Sequence, residues 1–122
     1  MDRAIPILPA DDLAVAKKFY VDGLGFAVEF EASDDGHAGL MGLRRGTIAL
    51  TIDCPMDGHG RHACVSLDVA DVDAYYSEWR PRVIVLRPPR NEPWGARTFD
   101  LRDPSGNTIF VTGASPRRRM QS

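Results

Sequence analysis

The chain has 122 residues, of which 43% are hydrophobic and 26% are charged, and its 15 basic and 17 acidic residues give a formal net charge of −2. This balance is that of one ordinary globular domain and excludes a disordered chain. The nearly neutral charge argues against a nucleic-acid-binding protein. No apolar run approaches the ~20 residues of a membrane span.

The start of the chain and its cysteines indicate the compartment. The opening MDRAIPILPADD carries charges and two prolines where a signal peptide needs an unbroken apolar stretch. Cys54 and Cys64 are too few for a disulfide framework, and neither has zinc-finger spacing. We therefore predict a cytoplasmic protein with reduced cysteines.

The first half predicts the order strand, helix, strand, strand, strand. AIPILP is a short apolar strand, and Asp11 or Asp12 can cap a helix that ends at Gly23 or Gly25. The apolar residues that share one face of this helix are Leu13, Ala16 and Tyr20. Three strand-like runs follow it, FAVEFEA, HAGLMGL and TIALTID.

The second half repeats this order. HACVSLDV is a strand, and ADVDAYYSEW is a helix with Asp71 at its cap and Pro81 at its end. The residues on one side of this helix are Val72, Tyr75 and Trp79. Three strands follow, near RVIVL, RTFDLR and NTIFVT.

The two halves align on each other. An offset of about 59 residues brings Leu13 onto Val72, and one of about 61 brings TIALT onto TIFVT. We predict an α+β fold with two βαβββ modules around a shared cleft, in a single domain over 1–122. The predicted parts are module one at about 1–53, a linker at about 54–61, module two at about 62–113 and a flexible tail at 114–122.

Trp94 lies in the irregular loop PWG, where the chain has little room for regular structure. A tryptophan in such a loop either closes the bottom of a core or presents its flat ring to a ligand. The local sequence leaves both interpretations open.

Several motifs resemble those of a known family. LGF after the first helix, EW at the end of the second, PWG, and LRDP with GN before the last strand resemble the glyoxalase and bleomycin-resistance group of the vicinal oxygen chelate superfamily, and most of all its bleomycin-binding members. The resemblance implies the vicinal oxygen chelate fold and a homodimer that exchanges its first strand near Pro9. It also implies sequestration, without reaction, of a bleomycin-like or other planar, cationic antibiotic in clefts at the dimer interface.

The resemblance also locates the metal ligands of the superfamily's enzymes. The four positions fall at Ile5, Ala49, Cys64 and Phe110, three of which cannot bind a metal. We therefore predict no metal, no cofactor and no catalytic residue. The alternative is a metal-dependent lyase, dioxygenase or thiol transferase that uses His62, which strand alternation places on the face of Cys64.

A third hypothesis is a small-molecule sensor or a module that uses the cleft for a protein partner. For the sequestration hypothesis, the resemblance makes Trp94 a ligand platform within PWGAR, and His37 precedes Ala-Gly where the family carries an aromatic residue. Alternation from Cys64 adds Ser66 and Asp68 on the cleft face. The predicted ligand-binding residues are Trp94, His37, Ser66, Asp68, Gly95, Arg97 and Phe110.

Overall fold

The architecture repeats one βαβββ module. The computed structural model describes residues 2–55 and 62–115, so most of the predicted linker and the C-terminal tail lie outside the described residues. The first module contains β1 (Ile7–Pro9), α1 (Leu13–Lys17) with a π-helical continuation (Lys18–Gly23), β2 (Ala27–Ala32), β3 (Gly39–Arg45) and β4 (Ile48–Cys54). The second contains β5 (Cys64–Asp68), α2 (Val72–Trp79), β6 (Val85–Asn91), β7 (Ala96–Arg102) and β8 (Thr108–Ala114).

Each module forms its own four-stranded sheet with the same topology. The strand orders are β1-β4-β3-β2 in the first sheet and β5-β8-β7-β6 in the second. The first and last strands of each module run parallel, and the other neighbours run antiparallel. These two sheets confirm the predicted α+β class and its two βαβββ modules.

Both helices begin at the predicted type of cap. The carboxylate of Asp12 accepts hydrogen bonds from the backbone N–H groups of Ala14 and Val15, at 2.8 and 3.3 Å. Asp71 accepts from the N–H of Ala74 at 3.1 Å. An aspartate at this position satisfies N–H groups that have no partner within the helix. The sequence left Asp11 and Asp12 as alternatives, and the structure selects Asp12.

Strand β6 differs most from its predicted position. The sequence indicated a strand near RVIVL, whereas β6 begins at Val85 and continues through Pro88 and Pro89 to Asn91. Two prolines are tolerated here because β6 is an edge strand. Its outer side has no neighbouring strand, so no hydrogen bond of the sheet is lost where a proline lacks its N–H on that side.

The helices and sheets of both modules share one hydrophobic core. Tyr20 and Trp79 are its largest fully buried side chains, and the indole Nε1 of Trp79 donates to the carbonyl of Leu24 at 3.1 Å. The buried residues of the first and second halves form a single cluster. None of the helices in the described ranges has the length and apolar character needed to cross a membrane.

A buried polar junction also joins the modules. The carboxylate of Asp103 accepts from the Tyr20 hydroxyl and from Nδ2 of Asn107, both at 2.7 Å. The Asn107 Nδ2 also donates to the carbonyl of Pro9 at 2.8 Å. Burial and the negative charge of Asp103 raise the pKa of Tyr20 well above its usual value. The turn between β7 and β8 therefore fixes the second module to β1 and to the first helix.

Candidate functional site

Each sheet has one face against the helices and one face directed away from them, called here the open face. Along β8, Ile109 and Val111 are fully buried in the core, whereas Phe110 and Thr112, which alternate with them, are half-buried. This alternation follows from the two-residue period of a strand. The candidate site lies on the open faces, because the side chains of the helix-facing sides are buried in the core.

The open face of the second sheet carries a row of side chains that crosses all four strands. Phe110 of β8 lies opposite Ser66 of β5 and opposite Asp100 of β7. Asp100 lies opposite Arg87 of β6. An aromatic ring therefore has a hydroxyl on one side and an ion pair on the other. Of these four residues, the sequence predicted Phe110 and Ser66.

A second row follows, toward the carboxyl end of β5. Thr112 lies opposite Asp68 and Thr98, and Thr98 lies opposite Arg90. Asp68 is exposed at the sheet edge, as the alternation from Cys64 predicts. On the other side of the first row, Thr108 lies between Cys64 and Arg102.

Two carboxylates lie beneath the arginines of this face. Asp100 accepts a hydrogen bond from Nε of Arg87 at 2.7 Å, and Nη2 of Arg87 lies 2.6 Å from the same oxygen, Oδ2. Its other oxygen, Oδ1, is buried and has no hydrogen-bond partner among the described residues. Glu92 accepts from the Thr98 hydroxyl at 2.9 Å and from Nε of Arg90 at 2.7 Å. The Thr98 and Arg90 donors hold the pKa of Glu92 below its usual value.

The open face of the first sheet is apolar by comparison. Phe30 of β2 lies opposite Gly42 of β3, and a Cβ at position 42 would overlap its ring. The absence of a side chain at Gly42 thus lets the ring lie across the sheet. Phe30 is 46% exposed, and Ile5 and Ile7 beside β4 are exposed as well.

The four positions at which the superfamily's enzymes carry metal ligands lie on these open faces. The two positions of the first module share one row of the sheet, and the two of the second module do not. Ile7 pairs with Thr51 in the parallel ladder, and the same register two residues earlier places Ile5 beside Ala49. In the second module, Cys64 pairs with Thr108, and Phe110 pairs with Ser66, so the two positions predicted there are one row apart. The paired residues are 44 positions apart in both modules (Ile7 with Thr51, Cys64 with Thr108), so the strand register does not reproduce the change of sequence offset from about 59 to about 61. Within residues 2–55 and 62–115, no group of three or more His, Cys, Asp or Glu side chains is placed to hold a metal ion.

The possible metal ligand His62 does not belong to a strand. β5 begins two residues later, and His62 has a φ of 64°, in the left-handed region. Its imidazole lies against Gly106 of the β7–β8 turn, where a Cβ would be 3.1 Å from the ring. The prediction that alternation places His62 on the face of Cys64 is therefore wrong, because alternation requires extended backbone.

The structure places two predicted ligand-binding residues away from the open faces. Nδ1 of His37 lies 3.0 Å from Oδ2 of Asp12, at the start of α1, and this contact lowers the pKa of Asp12. Arg97 binds Asp73 of α2, with 2.8 Å between Nε and Oδ2. Arg97 shares the helix-facing side with the buried Phe99, since residues two apart on a strand point the same way.

Trp94 lies in the loop between β6 and β7 and is 67% exposed. Gly95 allows the loop to turn with a φ of 91°, and its N–H donates to the carbonyl of Glu92 at 3.1 Å. The exposed ring rules out the interpretation that Trp94 closes the core. Its position at the end of β6 places it near the row that contains Arg90 and Thr98.

A separate cavity of about 320 Å³ lies on the helix side of the molecule. Its lining includes Val15 and Phe19 from the first helix, Arg82 after α2, and Pro104 of the β7–β8 turn. Arg82 donates to the carbonyl of Asp22 at 3.1 Å. This cavity contains none of the predicted site residues.

Sequence reasoning missed Arg87, Arg90, Asp100, Thr98 and Glu92 on the second open face. RTFDLR contained a signal for two of them. Phe99 and Leu101 are the core residues of that run, so Thr98 and Asp100 had to face the other way.

Solved structures share this fold and differ in what they bind. The bleomycin-binding protein from bleomycin-producing Streptomyces verticillus, in complex with copper(II)-bleomycin, is 30% identical with a TM-score of 0.74 and covers 94% of this chain and 98% of its own. TnmS3, an antibiotic-binding protein from Streptomyces sp. CB03234, is 25% identical with a TM-score of 0.73, covering 94% and 98%. A lactoylglutathione lyase from Agrobacterium tumefaciens is 22% identical with a TM-score of 0.72, covering 93% and 94%.

These likenesses confirm the predicted vicinal oxygen chelate fold. They include both binding proteins and a lyase, so the fold by itself does not separate sequestration from catalysis. None of the curated proteins matches this chain. The family model of the Glyoxalase/Bleomycin resistance protein/Dioxygenase superfamily matches residues 4–111, and the chain belongs to that superfamily.

Proposed function

We propose that this protein binds and sequesters a bleomycin-like or other planar aromatic antibiotic without transforming it. The observation that carries the proposal is the identity of the side chains at the superfamily's metal positions. Ile5, Ala49 and Phe110 offer contact surface instead of metal ligands. The 30% identity to a protein solved with copper(II)-bleomycin supports a ligand of that kind.

The second open face has the components of a site for a flat ligand. Phe110 supplies a ring at its centre, Ser66 and Asp68 supply polar atoms along β5, and Trp94 supplies an exposed ring at the end of β6. A planar ligand that stacks on such rings loses unfavourable contact with water on its faces. Affinity of this kind requires no bond to be made or broken.

A second copy of the chain would complete the cleft. Ile7 and Phe30 leave apolar surface exposed on the first sheet, and exposed apolar surface of this kind marks an interface. We propose a homodimer in which the first open face of one copy faces the second open face of the other. If β1 is exchanged, it would form the same parallel pairing with β4 of the second copy, and Pro9 would be the last residue of the exchanged strand.

A calorimetric titration with metal-free and copper-loaded bleomycin tests this function. We expect binding of about one ligand per chain, and Trp94→Ala should weaken it at least about fivefold, since losing an aromatic anchor costs about 1 kcal/mol or more. Ile84→Ala is the matched control, because Ile84 is exposed but precedes β6. Its affinity should equal that of the wild type.

Two results would contradict the proposal. The first is the absence of both heat and a thermal shift with either form of bleomycin and with a panel of other planar antibiotics. The second is stoichiometric metal, by elemental analysis, in protein purified without chelators. That result would instead favour the lyase, dioxygenase or thiol transferase alternative.

A further inference from the structure

A bulge in β6 brings two arginines onto one face. Arg87 and Arg90 are three residues apart, so in a regular strand they would point to opposite faces. The register shifts between them, and Arg87 lies opposite Asp100 while Arg90 lies opposite Thr98. Asp100 and Thr98 are two residues apart on β7 and share the open face. β-Bulges are known to redirect side chains in this way, often beside functional sites.

Each arginine is held by a carboxylate beneath it. The side chain of Asp100 is 7% exposed and that of its partner Arg87 is 49% exposed. Glu92 is 11% exposed and its partner Arg90 is 38% exposed. The acids are therefore covered, and the guanidinium groups form the surface. An arginine fixed in this way loses less conformational entropy when it binds a ligand.

The contacts leave donor capacity on the outer side. Arg87 donates to Oδ2 of Asp100 through Nε, with Nη2 2.6 Å from the same oxygen, and Arg90 donates to Glu92 through Nε. A guanidinium has five N–H donors, so both groups retain donors for a further acceptor. Arg102 adds a third exposed positive charge to this face. The exposed carboxylate of Asp68 is on the same face but lies on β5, at the opposite edge of the sheet from β6.

We propose that Arg87 and Arg90 form an arginine clamp that binds an anionic oxygen group of the ligand, such as a carboxylate. The clamp rests on the proposed function, because it acts on the same flat ligand. A ring stacked at Phe110 would extend its oxygen group past Asp100 toward the clamp. The charge of this group is opposite to that of the cationic ligand that the family resemblance implies.

Two pyrene probes test the clamp because they share one planar ring and carry opposite charges. Fluorescence titration should show wild-type protein binding pyrenecarboxylate at least about tenfold more tightly than pyrenemethylammonium, as one charge-assisted hydrogen bond suffices for that ratio. Arg87→Gln with Arg90→Gln should bring the ratio close to one. Glutamine keeps an N–H donor for each buried carboxylate, and thermal melting verifies the fold.

Two further variants separate geometry from net charge. Arg102→Gln removes the same charge from the same face, and we expect it to leave the ratio within about twofold. Asp100→Asn removes the support of Arg87 and also makes the face more positive, so a ratio that falls after this change reports the lost geometry and not the charge. Asp100 is thus a positioning residue for Arg87.

The outcomes distinguish the clamp from the function on which it rests. Wild-type protein that prefers pyrenemethylammonium, or a double variant with an unchanged ratio, would overturn the clamp. If the wild type binds bleomycin but neither pyrene, the clamp is also overturned and sequestration stands. If it binds no bleomycin, no other planar antibiotic and no pyrene, both proposals fall together.

Discussion

The two open faces differ although the same module builds both sheets. The first exposes mainly apolar side chains, with Phe30 lying across Gly42 and Ile7 exposed beside β4, and it also carries the Arg44–Glu29 ion pair. The second is charged, with Arg87 over Asp100 and Phe110 next to them. The helix-facing sides of both sheets are largely apolar, apart from arginines such as Arg97 that bind acidic residues of α2. One face of each strand therefore determines the fold, and the other is free to determine what the molecule contacts.

The modules also differ in their last turn. β3 and β4 are joined by the two residues 46–47, whereas β7 and β8 are joined by residues 103–107. The longer turn reaches the first module, where Asp103 meets Tyr20 and Asn107 meets Pro9. The short turn makes no corresponding contact with the second module among the described hydrogen bonds. The longer turn thus joins the two modules, and substitutions in it should have a larger effect than substitutions in the short turn.

The largest effect is expected from Asp103→Ala. The change removes the acceptor of the Tyr20 hydroxyl, of Asn107 Nδ2, and of the backbone N–H groups of Ser105 and Asn107. Buried donors without partners are costly, so the free energy of unfolding should fall by about 3 kcal/mol or more. Urea denaturation measures this loss. Asp68→Ala, at an exposed position, is the control and should leave the free energy of unfolding nearly unchanged. A loss below about 1 kcal/mol for Asp103→Ala would show that the junction contributes little to stability.

A smaller effect, on association instead of folding, is expected from Phe30→Ser. If the apolar face of the first sheet contacts a second copy, loss of this ring should raise the dimer dissociation constant about thirtyfold, the equivalent of a 2 kcal/mol hot spot. Stability of the monomer should change by about 1 kcal/mol or less, since Phe30 is nearly half exposed.

Sedimentation over a range of concentrations measures this change. Val15→Ser, an equally exposed apolar position on α1, is the matched control and should leave association unchanged. Equal association of the Phe30→Ser variant and the wild type would remove the first open face from the interface.

Periodicity, capping and the internal repeat were enough to predict the two βαβββ modules, whereas the vicinal oxygen chelate fold was predicted from the family resemblance. The apolar spacing of Leu13, Ala16 and Tyr20, with an aspartate before it, gave the first helix, and the repeat of that pattern gave the second. The side-chain spacing in the second half of the first helix could not be predicted, because the helix continues from Lys18 in π-type geometry. The edges of β6 were missed because prolines normally argue against a strand.

The candidate site was predictable only where alternation is regular. Ser66 and Asp68 follow from Cys64 by counting in twos, and the same rule would have directed Arg97 to the core side with Phe99. Arg87 and Arg90 could not be found in this way, because a bulge breaks the count between them. The ion pairs with Asp100 and Glu92 depend on tertiary contacts that local sequence does not contain.

The smallest expected effect concerns the Tyr20 hydroxyl, the first module's donor to the junction. Its raised pKa means that the folded protein holds this proton more tightly than the unfolded chain does. The resulting stability is complete below the unfolded pKa near 10 and is lost as pH rises toward the higher folded value. Tyr20→Phe should cost about 1 kcal/mol at pH 7 through the lost hydrogen bond to Asp103, and its stability should decline less steeply above about pH 10 than that of the wild type. Urea unfolding of both proteins from neutral to alkaline pH measures the two slopes, and parallel slopes would mean that the junction does not retain the Tyr20 proton.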